Sequence, residues 1–180
     1  MIYNERDIRP DVVKSLAEAV MAAARTAPKA KGRDLVEIVM LTDDDIVRLS
    51  DAMRQISAES GLKFLLRDAD NILQAQALIL IGTREPSQAC ALNCGYCGFA
   101  TCEAKPANVP CVMNGVDVGI AIGSACSKIA DVRLDSRVLF SAGWAARRCG
   151  IMPDVDLIFA IPMSVSSKSP FFDRKSPEKR

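Results

Sequence analysis

Histidine is absent from all 180 residues of the chain. This excludes zinc sites of the Cys2His2 and Cys3His types and Rieske-type iron–sulfur ligation. It also excludes histidine as a general base, and with it every Ser–His and Cys–His catalytic pair. A metal site or a catalytic site in this protein must therefore be built from other side chains.

Long hydrophobic runs and a strong charge of either sign are also missing. The longest apolar runs, such as ALILI and LIFAI, are far shorter than the roughly 20 residues of a membrane span. The net charge of +1 gives no reason to expect nucleic acid or an anionic membrane as a partner. The first ten residues, MIYNERDIRP, are charged and contain no apolar signal-peptide core. We expect a soluble, cytoplasmic protein with a single domain over residues 1–180.

Cysteine, in contrast, is abundant and unevenly placed. The chain has seven cysteines, and five of them fall between positions 90 and 111. A chain without a secretion signal is expected to keep its thiols reduced, so this clustering does not indicate disulfides. Four of the five follow the pattern Cys-x2-Cys-x4-Cys-x8-Cys, at Cys94, Cys97, Cys102 and Cys111.

This pattern predicts an all-sulfur metal site. Two thiols separated by two residues can bind one centre from a single tight turn, and soft thiolate sets suit iron–sulfur clusters or zinc. Gly95 and Gly98 each follow a cysteine and allow the backbone to turn its N–H groups toward the sulfurs. Structural zinc sites usually combine two separated Cys-x2-Cys pairs, whereas this chain has only one. The spacing therefore favours a cluster, with a structural zinc module as the alternative.

Hydrophobic periodicity predicts strands separated by helices, which is typical of an α/β or α+β three-layer domain. Thr42 is expected to cap a helix that ends near Gly61, and Asp117 is expected to cap a later one. The cysteine-rich loop is predicted at 84–112, between a strand and a helix, and a partly disordered tail at 166–180. The predicted helices are 10–27, 43–61, 62–75, 116–131 and 136–149, and the predicted strands are 35–42, 77–82 and 156–163.

The stretch after the loop resembles a bacterial and archaeal family described as uncharacterised proteins containing a ferredoxin domain. The resemblance lies in the CGYCG segment, in DVGIAIGSA (117–125), in the Asp135-x-Arg137 step and in the closing IPMSVSSKSPFFDR (161–174). It implies an iron–sulfur cluster but names no reaction, substrate, electron donor or redox partner.

A second resemblance is to nitroreductase-like flavoproteins, through AARTAPKA (23–30), the strand after it and the paired C-terminal helices. It implies an α+β homodimer with FMN at the subunit interface. Where those proteins carry paired arginines for the FMN phosphate, this chain offers Arg6 and Arg9 singly. The cluster of Lys29, Lys31 and Arg33 is the alternative anion-binding group, since Lys and Arg are the usual partners of phosphate.

The loop is also similar to the cluster-binding segment of corrinoid iron–sulfur proteins, in which the last cysteine lies about twice as far along. This resemblance favours a 4Fe–4S cluster and makes Cys90 a competitor of Cys111 for the fourth ligand position. The resulting hypothesis is a nitroreductase-like α+β domain with a 4Fe–4S redox centre. The alternatives are a structural zinc module and an FMN-dependent reductase with an accessory cluster. We also expect a homodimer, with close helix approach at 119–125 and with Phe171 and Phe172 as anchors.

Overall fold

The computed structural model describes residues 1–172, and residues 173–180 lie outside the described part. The predicted tail from 166 therefore falls partly outside it. Residues 85–111, between the second strand and the fourth α-helix, contain no helix or strand. The elements are α1 (Glu5–Thr26), β1 (Val36–Leu41), α2 (Asp43–Ser60), α3 (Phe64–Ile72), β2 (Ala77–Arg84), α4 (Val112–Asp131), β3 (Asp135–Ser136), α5 (Phe140–Arg148) and β4 (Val155–Ser164), with a 3-10 turn at Ala30–Gly32.

The four strands form one antiparallel sheet in the order β1-β2-β4-β3. The central strand β2 is buried along its whole length except at Arg84. Its near-continuous apolar run, ALILIG, suits a strand that is covered on both faces. The end of β2 therefore delivers the cysteine-rich loop from the middle of the sheet.

Helices cover both faces of the sheet. Helices α2, α3 and α5 pack on the face that carries Leu78 and Leu80, and helices α1 and α4 pack on the face that carries Ile79 and Ile81. Alternate residues of one strand thus point into two separate hydrophobic cores, as the period of two requires. The expected α+β three-layer architecture is confirmed.

Some predicted element boundaries are confirmed and others are wrong. Helix α2 begins after Thr42 and ends at Gly61, whose φ of +74° is the left-handed conformation expected of a C-terminal glycine, although Thr42 makes no side-chain capping bond. Helix α1 begins at Glu5 rather than at Pro10, because the Asn4 side chain accepts the backbone N–H of Arg6 and starts the helix earlier.

The C-terminal half also departs from expectation. Helix α5 begins at Phe140 rather than at 136, because Asp135 and Ser136 pair with β4 as the short strand β3, which was not predicted. A two-residue strand has no periodicity of its own and exists only through its partner. No helix in the described range combines the length and hydropathy that a membrane crossing requires.

Two motifs that are far apart in sequence contact each other. Arg137 donates a hydrogen bond to the carbonyl oxygen of Phe171 at 3.1 Å, and its guanidinium lies 5.2 Å from the centroid of the Phe172 ring. Asn71 donates to the same carbonyl oxygen at 3.4 Å. Phe171 is 1% exposed and Phe172 is 61% exposed. Phe171 is therefore anchored within its own chain, and of the two rings only that of Phe172 remains available to a partner.

Candidate metal centre

Five cysteines line one pocket between the loop and the start of α4. They are Cys90, Cys94, Cys97, Cys102 and Cys111. The four predicted ligands thus share a pocket, and Cys90 joins them. Cys94 is exposed, Cys97 and Cys102 are half-buried, and Cys90 and Cys111 are buried. None of the described residues that line this pocket is a carboxylate, so its donor set is soft and sulfur-rich.

A glycine turn presents Cys97. Gly95 has a φ of +72° and Gly98 a φ of +88°, a region that residues with a side chain rarely adopt. The N–H of Gly98 donates to the carbonyl oxygen of Gly95 at 2.9 Å and closes a tight turn around Cys97. The two glycines that the sequence pattern singled out are therefore required by the backbone conformation.

A reciprocal pair of hydrogen bonds fixes Cys102. Its backbone N–H donates to Oδ1 of Asn93 at 2.8 Å, and the backbone N–H of Asn93 donates to the Cys102 sulfur at 3.4 Å. The two bonds hold Cys102 and Asn93 together within the loop. Asn93 was not identified from the sequence, because only the folded loop brings it to a cysteine nine residues later.

The buried pair Cys90 and Cys111 lies with sulfur atoms 3.7 Å apart. Burial, followed by the neighbouring Cys111, raises the pKa of Cys90 to about 11. Burial by itself also raises the pKa of Cys111, but hydrogen bonds from the backbone of Cys90 and Met113 and from the Cys90 thiol outweigh it. The pKa of Cys111 therefore lies below its ordinary value.

Lys105 lies inside the loop as a buried cation. It lines the same pocket and is only 8% exposed. Its ammonium donates to the carbonyl oxygens of Ser87, Pro106 and Val109 at 2.8, 3.2 and 2.6 Å. This places one positive charge beside five sulfurs and ties the two ends of the loop together. Nothing in the sequence distinguished Lys105 from a surface lysine.

We predict that Lys105→Met loosens the loop while leaving the sheet folded. Three carbonyls lose a charged donor, and a hydrogen bond to a charged group contributes about 1.5–3 kcal/mol, so opening of the loop should become about 10- to 100-fold more frequent. Limited proteolysis and amide exchange of residues 85–111 measure this. The control is Lys14→Met at an exposed position of α1. Equal cleavage rates in the two variants would contradict the role of Lys105.

The sulfurs are gathered but not yet assembled into a coordination shell. Among residues 1–172, no three Cys, Asp or Glu side chains converge closely enough to hold a metal ion as they stand. Metal binding to irregular loops is coupled to ordering of the loop, so a converged shell is not required beforehand. The donor types, the glycine turn and the buried cation fit a thiolate-ligated metal centre.

The predicted anion-binding residues Lys29, Lys31 and Arg33 follow α1. The Lys29 ammonium points back at the end of that helix, where it contacts the carbonyl oxygens of Ala24 and Arg25, and its side chain is 6% exposed. Cations are favoured at this end of a helix. Arg33 donates to the carbonyl oxygen of Ala89 at 2.9 Å, beside the cysteine pocket, while Lys31 is exposed.

Asp117 holds this segment against α4. The expectation that Asp117 caps a helix is wrong, because α4 begins at Val112 and Asp117 lies inside it. Its Oδ1 accepts the backbone N–H of Ala30 at 3.0 Å, and burial raises the pKa of its carboxyl group. Asp117 thus positions the 29–33 segment, and Arg33 connects that segment to the cysteine loop.

Arg6 and Arg9 line a separate, open pocket between the start of α1 and the end of β4, together with Ser166 and Ser167. Glu5 also lines it and forms an ion pair with Arg9 at 2.6 Å. Arg6 and Arg9, which are not adjacent in the sequence, therefore share one pocket with the hydroxyl groups of Ser166 and Ser167. No local pattern indicates this pairing, because the serines lie far along the chain from both arginines.

Comparison with known proteins identifies a family by sequence and a related fold by structure. Residues 107–174 match the sequence profile of a family described as uncharacterised proteins containing a ferredoxin domain. An uncharacterised protein of Archaeoglobus fulgidus is 36% identical over 188 residues, covering 99% of this chain and 100% of that protein.

Among solved structures, the fold is similar to nitroreductases. A nitroreductase with bound FMN from Bacteroides fragilis has a TM-score of 0.61 at 12% identity, covering 92% of this chain and 83% of that one. Nitroreductase CinD from Lactococcus lactis in complex with chloramphenicol has a TM-score of 0.59 at 18% identity, covering 99% and 86%. The expected nitroreductase-like fold is confirmed.

Proposed function

This chain belongs to the family of uncharacterised proteins that contain a ferredoxin domain, and we propose that it is an iron–sulfur redox protein. The proposed centre is a 4Fe–4S cluster held by Cys94, Cys97, Cys102 and Cys111, in electron transfer or redox sensing. The observation that carries this proposal is the single pocket lined by five cysteines, with no carboxylate among its described lining residues.

The residues of the loop have distinct parts in this proposal. A 4Fe–4S cluster supplies one-electron chemistry, with a potential set by net charge, hydrogen bonds to sulfur and solvent exposure. The buried ammonium of Lys105 favours negative charge in the pocket, which raises the potential of an anionic centre. The exposed Cys94 lies on the solvent side, where a redox partner can approach. Cys90 and Cys111, in contrast to Cys94, are buried, with 3% and 7% of their surface accessible.

Metal analysis of anaerobically purified protein tests the proposal against the zinc alternative. We expect brown protein with about four irons and four sulfides per chain, and a paramagnetic signal after reduction with dithionite. Colourless protein with stoichiometric zinc and no paramagnetic signal would establish a structural zinc module instead. Reconstitution with iron and sulfide under anaerobic conditions guards against loss of the centre during purification.

An FMN-dependent reductase with an accessory cluster is the second candidate. Two observations favour it: the fold is similar to that of a nitroreductase with bound FMN, and Arg6, Arg9, Ser166 and Ser167 line one pocket. Guanidinium and hydroxyl groups are suited to a phosphate group. The other proposed phosphate ligands are Lys29, Lys31 and Arg33, of which only Lys31 is exposed to solvent.

Titration with FMN, followed by quenching of flavin fluorescence, tests this candidate. The double variant Arg6→Ala/Arg9→Ala reports on the α1 pocket, and Lys31→Ala/Arg33→Ala reports on the other site. Tenfold weaker binding corresponds to about 1.4 kcal/mol, which is the loss expected for the correct pair. Absence of quenching in the parent protein at micromolar flavin would reject the candidate.

We further propose that the protein is a homodimer formed through the outer face of α4. Val112, Val116 and Ile120 lie one turn apart on that face and are each about 40% exposed. Gly119 and Gly123 lie on the same face, and a Cβ atom at either would meet nothing within 4 Å. Small residues between apolar ones permit close packing of two helices about a twofold axis.

We predict that Ile120→Glu weakens this dimer by at least about tenfold, because an unpaired buried carboxylate costs more than about 1.4 kcal/mol. Sedimentation equilibrium across micromolar concentrations measures the effect. Val47→Glu is the matched control, since Val47 is similarly exposed but lies on α2, on the opposite layer. A parent protein that sediments as a monomer at tens of micromolar would contradict the dimer.

A further inference from the structure

Cys90 and Cys111 lie next to each other in the pocket. Both are buried, at 3% and 7% exposure, and their sulfurs lie 3.7 Å apart. We propose that the two are alternative ligands for one position of the metal centre, so that either of them completes it. This inference rests on the proposed iron–sulfur function and adds a fifth ligating residue to it.

Hydrogen bonds hold the two ends of the loop, which carry Cys90 and Cys111, next to each other. The backbone N–H of Cys111 donates to the carbonyl oxygen of Pro86 at 2.8 Å, which joins the exit of the loop to its entry. Asn114, in the first turn of α4, donates to the carbonyl oxygens of Glu85, Pro86 and Gln88. These bonds fix the position of Cys111 relative to the segment that leads to Cys90.

The same asparagine positions the Cys90 sulfur. Oδ1 of Asn114 accepts the Cys90 thiol at 3.4 Å, so the amide that braces the entry of the loop also directs the Cys90 side chain. Asn114 is 2% exposed. Cys90 is therefore held toward the pocket by a fixed partner and is not a spare thiol packed in a hydrophobic core.

The spacing of the two sulfurs limits what they can bind together. Two thiolates on one tetrahedral ion, with metal–sulfur bonds of about 2.3 Å, lie about 3.8 Å apart. In a 4Fe–4S centre each of the four cysteines binds a different iron, and these ligands point away from one another. In this placement the two sulfurs, 3.7 Å apart, are too close to bind two different irons of one cluster. One would bind, and the other would remain beside it.

Use of either thiol needs no oxidant. Cys90 or Cys111 would bind as its thiolate, and the thiol left unbound would keep its proton beside it. Loss of either residue should then leave a complete set of four thiolates, with Cys94, Cys97 and Cys102 common to both sets.

Alanine variants test this proposal, because a serine oxygen can itself bind iron. Cys90→Ala, Cys111→Ala and the double variant are reconstituted anaerobically with iron and sulfide, alongside Cys126→Ala as a control outside the pocket. We expect parental iron and sulfide in both single variants, and loss of both elements in the double variant. The paramagnetic spectra of the reduced single variants should differ from each other, because a different thiolate completes each centre.

The alternative outcomes are distinct. Loss of iron in only one single variant would overturn the proposal and identify that residue as the sole fourth ligand. Loss in both single variants would show that both sulfurs bind together, as on one iron of a 2Fe–2S centre or on zinc. Retention of iron in the double variant would also overturn it. Absence of iron from the parent protein would instead reject the underlying function. Denaturant unfolding of each variant, without metal, verifies that the fold is intact.

Discussion

Cys97→Ala should abolish iron binding by the anaerobically reconstituted protein. Cys97 lies at the tip of the glycine turn and lines the pocket, and, unlike Cys111, it has no second thiol in hydrogen-bonding contact within the described chain. Changes even to partners outside the ligand shell weaken metal sites by about 10- to 100-fold, so loss of a thiolate ligand should cost at least about 100-fold in affinity.

Iron and sulfide content per chain measures this loss, together with absorption near 400 nm. Cys126→Ala is the matched control, because Cys126 is a half-buried cysteine on α4 that does not line the pocket. It should bind as much iron as the parent. A Cys97→Ala variant with parental iron content would contradict ligation by the predicted four cysteines, whatever the result at Cys90 and Cys111.

Gly143→Ala should destabilise the fold strongly, although alanine is ordinarily the better helix former. A Cβ atom at Gly143 would lie 1.9 Å from the carbonyl oxygen of Ile158 and 2.7 Å from Cα of Phe159. Both are backbone atoms of β4, in the middle of the sheet, so neither can move aside cheaply. Overpacking of this kind costs about 3 kcal/mol or more, which exceeds the roughly 1 kcal/mol by which alanine favours a helix over glycine.

Thermal unfolding measures the effect, with an expected fall in Tm of about 6–12 °C for a domain of this size. Gly115→Ala is the matched control, since Gly115 also lies within a helix and its added Cβ would make only an ordinary contact, 3.8 Å from Cδ1 of Leu157. That variant should be as stable as the parent or more stable, by up to about 1 kcal/mol. A Gly143→Ala protein with the parental Tm would show that α5 does not approach β4 as closely as described.

The helix boundaries illustrate where local sequence signals succeed. Gly61 was identified as the end of α2 because a left-handed residue is needed there and glycine adopts that conformation without strain. The prediction that Asp117 caps a helix was wrong. An aspartate before small residues is typical of a cap, whereas α4 begins five positions earlier and buries Asp117. Capping preference is a local property, but burial against the 29–33 segment is not.

The basic residues show the same limit. Lys29, Lys31 and Arg33 form one cluster in the sequence, yet they have three different surroundings. Lys29 turns back to the end of α1, Arg33 reaches the cysteine loop and Lys31 is exposed to solvent. Charge alone does not indicate whether an ammonium or guanidinium group meets a backbone carbonyl, because the fold decides which carbonyl lies within its reach.

The sequence by itself predicts the chemistry of the candidate centre. The spacing from Cys94 to Cys111, the two glycines and the absence of histidine favour thiolate ligation, because donor type and turn conformation are local properties of the residues. The continuous apolar run of β2 likewise determined that a strand would be covered on both faces.

Only the tertiary structure decided which groups share the pocket. Cys90 meets Cys111, Lys105 turns inward and Asn114 braces both ends of the loop because β2 and α4 place the two ends of the loop side by side. Closing a long loop has an entropic cost that depends little on its sequence, and it is offset by packing of the elements at its ends. Contacts across such a loop are therefore set by the fold, and no local sequence pattern predicts them.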